Sequence, residues 1–165
     1  MKKHGSFTRV LPGLAIFALF LSMAPSAWAG DAIVVIVNGA NPVENLSLGE
    51  LKKLFLGDKS RWDTGKAVAP VMVGPGAPER AAFLKIVCGM NDADMAKYFM
   101  QAAFTGKSVT PPKDVGSVAA VKTMVANSPG AIGFVKASDF TAGATVRAVK
   151  IDGADASDAG YKIKM

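Results

Sequence analysis

Histidine occurs once in this 165-residue sequence, at His4, and cysteine once, at Cys88. His4 falls in an N-terminal leader, so the remaining chain has no imidazole at all. That removes Ser-His-Asp and Cys-His catalysis, the common zinc sites and the usual general base at neutral pH. A single cysteine cannot form an internal disulfide, so the fold rests on its hydrophobic core. Cys88 follows Phe83, Leu84 and Val87 on an apolar helical pattern, which predicts a buried, inert thiol. Carboxylates are thinly spread. Asp92 and Asp94 open a helix as capping residues, and Asp152, Asp155 and Asp158 lie in a Gly/Ala-rich tail. The spacing of those three does not fit an EF-hand, whose ligands alternate every second residue. It predicts a solvated turn, with no metal site and no catalytic residue. Basic runs are also missing: the lysines stand singly or in pairs, which argues against a nucleic-acid surface.

The leader itself reads as a secretory signal peptide over residues 1–29. Lys2, Lys3 and Arg9 form a positive n-region, and Val10 to Ala24 supply an apolar core. Ala27-Trp28-Ala29 gives the small-x-small cleavage pattern, with Gly30 as the new N-terminus. The apolar run is shorter than the ~20 residues a bilayer span needs and contains Pro12, Gly13 and Ser22. The expected product is an exported, periplasmic protein with no stable membrane insertion. Residues 30–165 then form one domain of 136 residues. The leader holds three of the 19 bases and none of the 13 acids, which leaves 16 bases against those 13, a net of +3. A domain of that size buries roughly two thirds of its unfolded surface, enough to stand without cross-links.

Strands alternate with helices along this domain. Ala32 to Val37 is an unbroken apolar, β-branched run, as a strand covered on both faces requires. A short helix opens at Ser47, which forms a capping box with Glu50. Its inner face is Leu48, Leu51, Leu54 and Phe55, and Gly57 ends it. Val68 to Val73 reads as a second strand. Pro78 starts the next helix, with Phe83, Leu84 and Val87 inward, and Gly89 stops it. Another helix begins at Asn91 and carries Met95, Phe99, Ala102 and Ala103 inward. Gly106 to Gly116 reads as a polar loop. Ser117 to Asn127 is a helix, Ala131 to Val135 a strand, and Val146 to Ile151 and Tyr161 to Ile163 edge strands. One α/β domain follows.

Most of the chemical content lies in the strand, glycine turn and helix from Val71 to Phe83. A helix N-terminus offers unpaired N–H groups and the positive end of the macrodipole, which together suit an anion. Candidate contacts are Gly74, Gly76, Ala77 and Glu79 in the turn, with Arg80 as counter-charge. Ala77 takes the cap position without a hydroxyl, and Glu79 places a negative charge in the first turn. Asn38 and Gly39, after the first strand, reach the same edge if the sheet is parallel, because loops at carboxyl ends of strands converge there. Arg61 and Trp62 are candidate partner contacts. Trp62 serves otherwise as a lid over the core.

Several segments in order carry a resemblance: Leu46-Ser47-Leu48 through Leu51, Leu54-Phe55-Leu56-Gly57, Trp62, and the strand and glycine turn running into Arg80-Ala81-Ala82-Phe83. Phe104-Thr105-Gly106, Pro111-Pro112-Lys113 and Pro129-Gly130-Ala131-Ile132-Gly133-Phe134-Val135 continue it. The sequence resembles the phosphate-binding periplasmic proteins of ABC transporters, most closely the short, single-lobe members of that superfamily. The resemblance implies a three-layer α/β domain with a mixed, mainly parallel sheet, equivalent to one lobe. It also implies phosphate or a related oxyanion as ligand, an ABC transporter or other envelope protein as partner, and no cofactor. The corresponding loop in those relatives is rich in Ser, Gly and Thr, whereas Gly74-Pro75-Gly76-Ala77-Pro78-Glu79 lacks their hydroxyls. Two functions follow. One is a binding module that holds the anion weakly if at all. The other is an envelope interaction module that kept the lobe and lost the ligand.

Overall fold

Strand β1 (Ile33–Asn38) is buried along its whole length, as its β-branched run requires of a strand covered on both faces. The computed structural model describes residues 32–165; the leader and its cleavage site lie outside the described residues. After β1 come the two-residue strand β2 (Asn45–Leu46), α1 (Leu48–Phe55), β3 (Ala69–Val73) and α2 (Pro78–Phe83). A π-helical turn, Leu84–Cys88, extends α2. Then follow α3 (Asp92–Phe104), β4 (Lys113–Val115), α4 (Val118–Asn127), β5 (Ala131–Lys136), β6 (Val146–Ala148) and β7 (Lys150–Ile151).

The main sheet has the order β4-β3-β5-β1-β6. It is mixed. Strand β3 runs parallel to β4 and β5, whereas β1 runs antiparallel to β5 and β6. Strands β2 and β7 make a separate parallel pair. Helices cover both faces, which gives three layers. On one face α4 lies over Gly133 of β5, where an added Cβ would sit 2.8 Å from Val121 Cγ1 and 3.3 Å from Val125 Cγ2. The absent side chain is what lets the helix settle onto the strand. On the other face Phe134 meets α1 and α2. Its ring stacks on Phe83 at 3.9 Å between centroids, and Phe55 packs against both at 4.7 and 5.8 Å.

Local signals explain most element ends. Ser47 and Glu50 form the expected reciprocal cap on α1. Asn91 caps α3 together with Asp94. Asp92 is not a cap: it pairs with Arg80 at 2.5 Å. Three further expectations need correction. Ala103 is exposed on α3, while Met95 and Ala102 are buried. The Gly106 to Gly116 stretch is not all loop, because Lys113–Val115 adds an edge strand whose first two side chains are exposed. Tyr161 to Ile163 forms no strand, although Ile163 accepts a backbone bond from Ile33 and Tyr161 Oη donates to Ile33 O. In the acidic tail, Asp152 pairs with Lys162 and Asp155 with Lys150, as solvated turn residues do.

Cys88 is buried at the end of the π-helical turn. Burial pushes its thiol up to about 11, with Lys52 pulling weakly the other way. At pH 8 only about one molecule in a thousand then carries a thiolate. The native protein is therefore expected to react with a disulfide reagent only when unfolded. Stoichiometric labelling within seconds at pH 8 would place the sulfur at the surface.

Candidate functional site

The carboxyl ends of β3, β4 and β5 meet at one edge of the sheet. Val73 lies opposite Val115, and the next amide, Gly74 N, donates to Val115 O at 2.9 Å. The chain leaves β3 through Gly74-Pro75-Gly76 into α2, and leaves β4 through Gly116 into α4. The N-termini of α2, on one face, and α4, on the other, therefore open at the same edge of the sheet, the arrangement that suits a ligand there. They differ in their caps. Ala77 makes no side-chain cap bond and Pro78 occupies the first turn of α2, so amides of that turn lack a side-chain acceptor. On α4, Ser117 accepts from Ala120 N, and no acid stands in the first turn.

Arg80 does not face the turn as a free counter-charge. Its side chain is 7% exposed; Nε donates to Asp92 at 2.5 Å, and Nη1 donates to Asp114 at 2.5 Å and to Val73 O at 2.8 Å. The guanidinium thus ties α2 to the start of α3 and to the middle of β4. Glu79 is also buried, and its carboxylate stands 3.6 Å from the ammonium of Lys136 at the end of β5. Arg80 and Lys136 together face three carboxylates, so the ionic groups at this edge sum to −1. A hollow of about 250 Å³ beside Arg80 is walled by Pro75, Phe99 and Pro112 but also by Asp92 and Asp114. An entering anion would meet those carboxylates.

Asn38 and Gly39 lie elsewhere. Because β1 runs antiparallel to β5, with Val37 opposite Ile132, its carboxyl end sits at the start of β5 and β3. Buried Asn38 spends its side-chain amide on Val125 O and Ala126 O, at 2.8 and 2.7 Å, and so caps the end of α4. Gly39 lets the chain pass close to Ala144, whose carbonyl oxygen stands 1.9 Å from where a Cβ would be. Both are structural residues. Trp62 is likewise no surface anchor. It is 4% exposed, and its indole N–H donates to Gly130 O at 2.9 Å. Arg61 is exposed, with Nη1 on Gly65 O.

Sequence reasoning missed three features. Lys136 ends a strand that the apolar run defined only to Val135. Ser117 was legible as a cap but not as a neighbour of Gly74, because β4 had no apolar pattern to reveal the pairing. Met100 and Phe104, four apart on α3, are 55% and 83% exposed. They form an apolar pair on an exposed face that also carries Ala96, Lys97 and Ala103.

No protein-family model matches the sequence. Solved structures do resemble the fold. An ABC-type phosphate transport receptor from Vibrio cholerae aligns over 76% of this chain at a TM-score of 0.61 and 22% identity. A Clostridium perfringens protein assigned as a phosphate ABC transporter substrate-binding protein, with bound phosphate, aligns over the same share at 0.61 and 25%. The fold is similar to one lobe of these proteins. The chain spans about half the length of both, 49% and 47%. The PstS protein of Borrelia burgdorferi shows the same likeness at 0.58 and 11% identity, with 47% of its length covered. The Clostridium perfringens neighbour is described as a substrate-binding protein and the Vibrio cholerae neighbour as a transport receptor. Among the described residues, no helix is long and apolar enough to cross a membrane.

Proposed function

We propose that this chain is an exported, substrate-binding-like protein of the periplasm that keeps one lobe of a phosphate-binding protein and holds phosphate, or a related oxyanion, only weakly. It acts by binding and not as an enzyme. The commitment of Arg80 to Asp92 and Asp114 carries the reading, since it leaves the turn without a free cation. Phosphate gives up strong hydration on entry and needs many donors in a dry, preorganised cavity. Here backbone amides and Ser117 face open solvent, where each hydrogen bond contributes less. An affinity on the order of millimolar follows, equivalent to about 4 kcal/mol.

The double variant Ala77→Ser with Glu79→Thr tests this. It adds hydroxyls to the turn, removes a carboxylate and releases Lys136 for the anion. Calorimetry is expected to find phosphate binding strengthened by roughly tenfold, the scale of one charge-assisted hydrogen bond. Glu79→Gln, which keeps the buried volume, is expected to give part of that gain. Unchanged affinity in both variants, with the fold intact, would remove the turn as the site.

Export follows from residues 1–29. Mass spectrometry of the secreted protein is expected to find Gly30 first, and an intact leader on exported protein would contradict it. An ABC transporter is the partner this reading implies. A second reading, an envelope interaction module, is supported by Met100 and Phe104, because an exposed apolar pair of this kind favours a protein contact.

A further inference from the structure

A second hollow, of about 400 Å³, opens at the opposite end of β3 and β4, where the chain enters these strands. Its size falls in the usual range for small-molecule sites, ~300–1,000 Å³. One wall is the corner joining Ser60 and Arg61 to Ala67 and Val68, held by the Arg61–Ala67 bridge and by Val68 N donating to Ser60 O at 2.9 Å. The other is the segment from Ser108 to Lys113. The two walls meet where Gly57 passes Val109 and Thr110; a Cβ on Gly57 would stand 3.1 Å from Val109 Cβ. Leu54, Val68, Pro70 and Pro111 make an apolar lining, and Leu54 is 1% exposed.

The polar groups in this hollow are of one kind. Lys59, Arg61 and Lys113 line it, and no carboxylate does. Lys59 pairs with Asp63, whose side chain is 87% exposed, so that bridge is easily exchanged for another anion. Arg61 uses Nη1 on Gly65 O and keeps its remaining donors. The Lys113 ammonium has no hydrogen-bond or ionic partner among the described residues, and neither have the hydroxyls of Ser60, Ser108 and Thr110. Three cations and three unspent hydroxyls around an apolar lining are complementary to an anion with an apolar body.

We infer that this hollow binds a small organic anion, its carboxylate or phosphate head held by Lys113 and Arg61 and its apolar body laid against Leu54, Val68 and Pro70. Inorganic phosphate fits poorly, because it leaves the apolar lining wet. The site is separate from the glycine turn and stands whether or not the turn binds phosphate.

Amide chemical shifts of the protein from Gly30 on, titrated with phenyl phosphate, benzyl alcohol and inorganic phosphate, test the inference. Phenyl phosphate is expected to shift the Ser60, Val68, Thr110 and Lys113 amides, with a midpoint roughly tenfold below those of the other two probes. Lys113→Gln is expected to raise the phenyl phosphate midpoint by about tenfold without changing the melting temperature. Lys97→Gln, on α3 and outside the hollow, is expected to leave it unchanged. The absence of cleft shifts up to about 10 mM phenyl phosphate, or equal midpoints in wild type and Lys113→Gln, would overturn the site. Shifts confined to Gly76, Ala77 and Ser117 would overturn it as well, by assigning the anion to the turn.

Discussion

Phe134→Ala is expected to destabilise the protein by about 3–5 kcal/mol, the range for removing a fully buried aromatic ring. Phe134 is 1% exposed, and its ring lies 9° from parallel with that of Phe83. Phe55 closes the group from α1. The three rings come from β5, α1 and α2, so the cavity left by one ring loosens the entire helical layer on that face. Relaxation is restricted, because β5 is hydrogen-bonded between β3 and β1. Urea denaturation measures the loss. A value below about 1 kcal/mol would mean that this layer is not the core.

Arg80→Met is expected to cost about 3 kcal/mol, the lower end for breaking a buried ion pair. The lower end applies because the carboxylates left behind can be rehydrated: the side chains of Asp92 and Asp114 are 34% and 49% exposed. The same variant separates structure from ligand binding. With Arg80 serving to join α2, α3 and β4, phosphate affinity of the folded variant is expected to fall only about threefold, through the uncompensated charge left on Asp92 and Asp114 at this open edge. A direct charge-assisted contact to the anion would instead cost roughly tenfold or more on its removal. A stable variant that has lost phosphate binding would return Arg80 to the site.

Much of the fold is legible in the sequence because it rests on local pattern. The apolar run through Val37 and the Ala131 to Val135 segment leave little choice but buried strands. Ser47 with Glu50 marks a helix start by chemistry alone. Strand β4 is illegible for the opposite reason: Lys113 and Asp114 are exposed, and only pairing with Val71 and Met72 makes them a strand. The direction of β1 is equally hidden. An apolar run tells that a strand is covered, not which way its neighbours run. A parallel β1 would bring Asn38 and Gly39 to the glycine-turn edge; the antiparallel pairing with β5 puts them at the opposite one. Arg80 is the clearest case at the site. Its partners lie 12 and 34 residues away, and nothing near it in sequence distinguishes a guanidinium offered to a ligand from one holding two elements together. The basic hollow is built from two connections, α1 to β3 and α3 to β4, that only the fold brings together.

The most direct measurement is a phosphate titration of the unmodified protein from Gly30 on, followed by amide chemical shifts. Shifts at Gly76, Ala77 and Ser117 with a midpoint on the order of millimolar are expected, since the helix N-termini are open and the nearby ionic groups sum to a negative charge. A micromolar midpoint at those same amides would contradict weak binding and make the single lobe a true phosphate receptor.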